Sequence, residues 1–129
     1  MNTLLPSPKR LWLGRVLGGL PVLFLAFDGA IKLAEIAPVR DAFQRLGYPE
    51  SSAVAIGALE LACTLAYALP RTAVLGALLL TAFLGGATTT HVRVGDPFYF
   101  PILVGLLLWG GLVLREPRLG ALVPLRARA

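Results

Sequence analysis

Four long apolar runs alternate along the chain with short charged or proline-containing segments. The first run extends from Leu11 to about Ile31. About 20 residues at 1.5 Å rise cross a ~30 Å hydrocarbon core, so this run predicts a membrane-spanning helix over residues 11–32. The second run spans about Ser51 to Leu69 and stops at Pro70-Arg71. The third begins near Thr72 and ends near Val92, and the fourth runs from about Phe98 to Leu114. They predict further spans over residues 51–69, 72–92 and 98–115. Four spans with short connections give an all-α, antiparallel four-helix transmembrane bundle, a single domain over residues 1–129.

The polar segment 33–50 interrupts this pattern. Pro38 can open a short helix there and Gly47 can close it. Val39, Phe43 and Leu46 fall on one face, with Arg40, Asp41, Gln44 and Arg45 around the other. That arrangement suits a short outer helix lying in the membrane interface. An ordinary polar loop explains so short a segment equally well. At the amino terminus, Lys9 and Arg10 before an apolar run also suit a signal peptide. The run is too long for one, Arg15 interrupts its start, and Phe27-Asp28-Gly29-Ala30 is a poor cleavage site, so a first spanning helix fits better. The basic tail 116–129 carries Arg118, Arg126 and Arg128 among leucines. It either lies on anionic headgroups or has no fixed structure.

Composition strengthens the membrane reading. The chain is 57% hydrophobic and 15% charged, against about 25% charged in soluble domains. A net charge of +5 does not point to nucleic acid, because the basic residues sit at the ends of apolar runs and form no stripe with aromatics. Their distribution sets the orientation instead. Lys9, Arg10, Arg15, Arg71, Arg115, Arg118, Arg126 and Arg128 lie on the side of the termini, and Lys32, Arg40, Arg45 and Arg93 on the other. Eight against four predicts both termini in the cytoplasm, in a plasma membrane of the bacterial inner-membrane type. Cys63 is the only cysteine, which excludes an intrachain disulfide and dithiol redox chemistry. Gly14 with Gly18, Gly85-Gly86 and Gly110-Gly111 predict places of close helix approach.

Ionisable residues inside spans are functional candidates. Glu60 lies nine residues into the second run, about 14 Å along a helix and near the midplane. An unpaired carboxylate there costs at least ~2.5 kcal/mol, so it must face the interior and find a partner or a proton. Thr64, Cys63 and Tyr67 share its face by helical spacing. Thr81, Gly85, Thr88 and His91 form a small or polar stripe in the third span. Asp28 and Lys32 stand four apart at the outer end of the first, and Arg93 lies beside His91 at the outer end of the third. These residues predict a polar pocket opening to the non-cytoplasmic side. Asp28 and Glu60 balance Lys32 and Arg93 in it. Glu60, Asp28 and His91 are the candidate acid–base groups, and Lys32, Arg93, Tyr67, Thr88 and Thr64 the candidate ligand-binding groups. A structural reading competes: Lys32 and Arg93 snorkel to the interface, Asp28 and His91 are interface residues, and the threonines bond their own helices. No metal site is predicted, because no second His or Cys stands at ligand spacing from His91. No phosphate loop or nucleophile elbow is present.

The order of features resembles the DoxX-like family of small four-helix membrane proteins. The features are Phe27-Asp28-Gly29-Ala30-Ile31-Lys32-Leu33, Leu46-Gly47-Tyr48-Pro49, Glu60, Pro70-Arg71-Thr72-Ala73, and Gly85-Gly86-Ala87-Thr88 through His91-Val92-Arg93-Val94-Gly95-Asp96. The resemblance covers about residues 12–115. It implies the fold, and it carries no catalytic residue over to this chain. Broader members are linked to quinone-coupled sulfur oxidation, oxidative-stress membrane complexes and, in animals, receptor assembly.

Three functions remain open at this point. The first is binding of a small lipid-soluble or headgroup-bearing molecule in the polar pocket, with acid–base or quinone-linked chemistry. The second is a non-enzymatic membrane-complex subunit or assembly factor. The third is a small-solute transporter, which at this size requires a homo-oligomer. The partners implied are membrane lipid, a small molecule or quinone, and another copy or membrane protein, but no nucleic acid. The sequence names no cofactor and does not decide whether the protein is an enzyme.

Overall fold

Ser7 starts the first helix: its hydroxyl oxygen accepts a hydrogen bond from the Arg10 backbone N–H at 3.3 Å, with Pro8 at the first helical position. Both are favoured at helix starts, where backbone N–H groups lack partners and proline has none to lose. The computed structural model describes residues 5–122. In it, α1 covers Pro8–Ala34 and ends at Glu35, a non-glycine residue in the left-handed region with φ 50°.

The polar segment is a helix, not a loop. It forms α2, Ala37–Leu46, with Pro38 in its first turn. Gly47, at φ 79°, closes it: the Gly47 N–H donates to the Gln44 carbonyl and the Tyr48 N–H to the Phe43 carbonyl. This closure requires a left-handed residue, and glycine takes that conformation without a Cβ clash. α3 then covers Ser52–Ala68, a single 3₁₀ turn covers Pro70–Thr72, α4 covers Ala73–Val94 and α5 covers Tyr99–Arg115. Gly95 ends α4 as Gly47 ends α2, at φ 75°. The bounds of these four long helices lie within three residues of those of the apolar runs. The tail opens with a four-residue helix, α6, Pro117–Gly120. Arg126 and Arg128 lie outside the described residues.

α1 packs on α3 and α5, and α4 packs on the same two helices from the other side. The start of α1 meets the end of α5 through Gly14, Gly18 and Gly111: a Cβ on Gly111 would stand 2.5 Å from the Gly18 nitrogen. The end of α1 meets the early part of α3 through Gly29 and Gly57. Gly76 brings α4 onto the Tyr67 backbone. The expected contacts at Gly85, Gly86 and Gly110 are not made, since nothing lies within 4 Å of where their Cβ atoms would be. Gly86 instead lines a cavity between the helices.

The main core joins Leu25, Tyr67, Leu80, Leu84, Val104 and Leu108 from all four long helices. A smaller cluster seats Val39 and Phe43 of α2 against Ala53 of α3. Outside, the pattern of a soluble protein is reversed: Glu60 is fully buried while Leu23 is 70% and Leu106 66% exposed. Among the described residues two stretches, Pro8–Ala34 and Pro70–Val94, are long and apolar enough to cross a membrane. α3 and α5 are apolar but have 17 residues each, about 25 Å of helix, the shortest that spans.

Candidate functional site

Gly29 and Gly57 make the site possible. A Cβ on Gly57 would lie 2.7 Å from the Lys32 Cβ, so its absence lets Lys32 rise beside α3. The Lys32 ammonium then donates to Asp28 Oδ2 at 2.5 Å and to Glu60 Oε2 at 2.6 Å. The first contact is the favourable acid-first pair four apart on a helix, and the second crosses from α1 to α3. Lys32 thus turns inward instead of snorkelling out. The Phe83 ring of α4 lies 5.7 Å from its nitrogen.

Glu60 Oε1 is buried and has no hydrogen-bond partner among the described residues. Such atoms are uncommon in folded proteins and call for a physical reason. The group also carries two carboxylates against one ammonium. With all three ionised it holds one net negative charge. The expected balance with Arg93 is absent, because the Arg93 guanidinium donates instead to the Leu46 carbonyl at the end of α2.

A cavity of about 600 Å³ opens above this cluster. Asp28, Lys32 and Glu60 line its inner end, and His91, Thr90 and Arg45 its outer end. Between them its wall is mainly apolar, with Phe24, Phe43, Phe83, Phe100 and Val104. Phe24 and Phe100 meet edge to face at 4.9 Å. From Phe83 to His91 is eight residues of α4, roughly 12 Å along the axis. α2 covers one side through Val39, Ala42 and Phe43.

Polar contacts hold α2 in place at the outer end. Tyr48 and Thr90 share a hydrogen bond of 2.9 Å between their hydroxyls. Arg45 lies 3.1 Å from Asp96. His91 Nδ1 is 3.7 Å from the same carboxylate oxygen, beyond hydrogen-bond length.

The structure therefore brings together Asp28, Lys32 and Glu60, and places His91 on the same cavity but at its far end. Four expected ligand-binding residues do not line it. Arg93 is committed to α2. Tyr67 points to the other end of the protein, where it donates to the Leu108 carbonyl at 2.5 Å and accepts from Arg115 at 3.2 Å. Thr64 and Thr88 donate to the carbonyls one turn back, Glu60 at 2.7 Å and Leu84 at 2.8 Å. A buried threonine hydroxyl satisfies itself this way when no better partner lies opposite. Residues the sequence did not single out are Tyr48, Thr90 and the wall aromatics. Tyr48 stands in the Leu46-Gly47-Tyr48-Pro49 motif, and Thr90 ends the threonine run, so both carried a signal. The wall phenylalanines carried none, since apolar residues on spans face lipid as readily as a cavity.

The arrangement can hold a molecule with an apolar body and a polar head, and Glu60, which lines its inner end, has one carboxylate oxygen without a hydrogen-bond partner among the described residues. The sequence match agrees with the shared motifs: the DoxX-like family model matches residues 16–111, from α1 to α5, and includes Asp28, Lys32, Glu60 and the whole outer end of α4. No curated protein and no solved structure matches the chain. The match extends over most of the chain and all of the site, and the chain belongs to the DoxX-like family.

Proposed function

We propose that the chain is an integral membrane protein whose four long helices form an antiparallel bundle across the bilayer, with α2 in the outer interface. We propose further that it binds a small lipid-soluble molecule in the cavity above the Asp28–Lys32–Glu60 cluster. One observation carries the binding reading: Glu60 lines the inner end of a mainly apolar cavity, and its buried Oε1 has no hydrogen-bond partner among the described residues. Support for the membrane reading comes from the exposed leucines, the two long apolar stretches and the family. The eight-to-four distribution of basic residues supports cytoplasmic termini in a plasma membrane. Acid–base chemistry on the ligand, including a proton taken from a quinol, would pass through Oε1, with Lys32 steadying the negative charge on Glu60 and the Asp28 carboxylate opposing it. His91 is too far along the cavity to share that proton directly.

The test is mass spectrometry of the protein after gentle extraction in detergent. The wild type should retain a small molecule, and Glu60→Gln should keep the fold and retain at least tenfold less. Equal retention by the two would remove Glu60 from the binding site. A second reading, docking onto another membrane protein, is favoured by the open space at Gly85 and Gly110. A stable protein partner in the same extract, with no small molecule, would support it instead.

A further inference from the structure

We infer that the cavity selects a ligand whose head is a cationic hydrogen-bond donor: an amine, protonated at neutral pH, on an apolar body. This rests on the reading of the cavity as a ligand site and names the class of ligand.

The unfilled position is an acceptor. Glu60 Oε2 takes a proton of Lys32 at 2.6 Å, while Oε1 takes none. A buried carboxylate oxygen is satisfied by a donor, and most strongly by a charged one. The unfilled charge is positive. With Asp28, Glu60 and Lys32 all ionised the group carries one net negative charge, and one added cation brings it to neutrality. Buried charges persist where they are paired.

Other head groups fit worse. An anionic head would face two carboxylates, and Lys32, the cation beside them, already touches both, at 2.5 and 2.6 Å. A carbonyl head needs a donor, and Lys32 has turned two of its three protons to the carboxylates, with the Phe83 ring on a further side. A neutral hydroxyl satisfies Oε1 but leaves the charge. The aromatic wall also suits a cation, because ring faces carry partial negative charge. At the outer end Asp96 Oδ2 and His91 Nδ1 also lack hydrogen-bond partners among the described residues, but Arg45, 3.1 Å from the Asp96 carboxylate, already balances its charge. The distance of roughly 12 Å between the two ends limits the apolar body to that length.

Four probes with one carbon skeleton test the class: phenylbutylamine, phenylbutanol, phenylbutanone and phenylbutyrate. Each is titrated calorimetrically into the full-length protein in nanodiscs of zwitterionic lipid, with empty nanodiscs as the blank. The amine is expected to bind at least tenfold more tightly than the alcohol, with the ketone and the carboxylate weaker still. In Glu60→Gln the preference for amine over alcohol should fall below threefold while the alcohol still binds. Equal binding of amine and alcohol overturns the charge requirement, and tightest binding of the ketone overturns the acceptor role of Glu60. In both cases the cavity stands as a binding site. Binding of none of the four overturns the cavity reading itself. The wild-type ranking decides even where Glu60→Gln fails to fold.

Discussion

Lys32 and Glu60 stand 28 residues apart in the chain, yet the lysine ammonium lies 2.6 Å from the glutamate oxygen. Removing the lysine would strand a fully buried carboxylate beside a second one. Lys32→Met is therefore expected to cost about 3–5 kcal/mol. Adding Glu60→Gln should recover at least half of that loss. Thermal unfolding of the single and double variants in mild detergent reads both numbers. Purely additive losses would show that the two side chains do not depend on each other.

Gly110 and Gly111 are neighbours with opposite expectations. A Cβ at position 111 would strike the Gly18 backbone at 2.5 Å, whereas nothing lies within 4 Å at position 110. Gly111→Ala should cost about 1–3 kcal/mol through forced separation of α1 and α5. Gly110→Ala should be neutral or stabilising by up to ~1 kcal/mol, the usual gain of alanine over glycine in a helix. Equal melting temperatures for the two variants would contradict the observed packing.

Tyr67 separates stability from binding. Its hydroxyl joins Leu108 of α5 to Arg115, far from the cavity. Tyr67→Phe should lower stability by about 1 kcal/mol and leave small-molecule retention unchanged. A loss of retention at full stability would return Tyr67 to the ligand-binding group.

The side cover of the cavity is held by few bonds. Thr90→Val keeps the shape of the residue and removes its bond to Tyr48. Losing about 1 kcal/mol there should raise hydrogen exchange of the α2 amides roughly fivefold, with little change in α3 or α4. Uniform protection in both proteins would mean that α2 opens only with the whole fold.

Orientation is testable without any ligand. Reporter fusions after Ala129 and in the segment around Asp41 should report the cytoplasm and the opposite side respectively. An external report at Ala129 would reverse the topology.

The sequence disclosed the helices well because their signal is long-range and redundant: each apolar run has many residues, and Pro38, Gly47 and Gly95 mark ends by backbone chemistry. It disclosed half of the site for a similar reason. Glu60 is conspicuous by depth, and Asp28 with Lys32 by spacing. The rest depends on which way neighbouring faces turn. Gly110 and Gly111 differ by one residue, about 100° around the helix, and only one of them meets α1. Tyr67 shares the face of Glu60 but sits two turns further on, about 10 Å away, where a different partner takes its hydroxyl. Height along α4 alone places Arg93 by the pocket, and no spacing rule reveals that its side chain reaches the end of α2.

The solitary Cys63 stands one turn beyond Glu60, 4% exposed and packed among Leu25, Leu80 and Leu84. A thiol reagent in water or lipid reaches it only when the helices part. Its labelling rate, divided by that of a free thiol, is then the fraction of time the protein spends open. No cysteine has to be added or removed for the measurement. The native chain thus carries its own clock for breathing of the helix bundle, placed a single turn from the carboxylate on which the proposed chemistry depends.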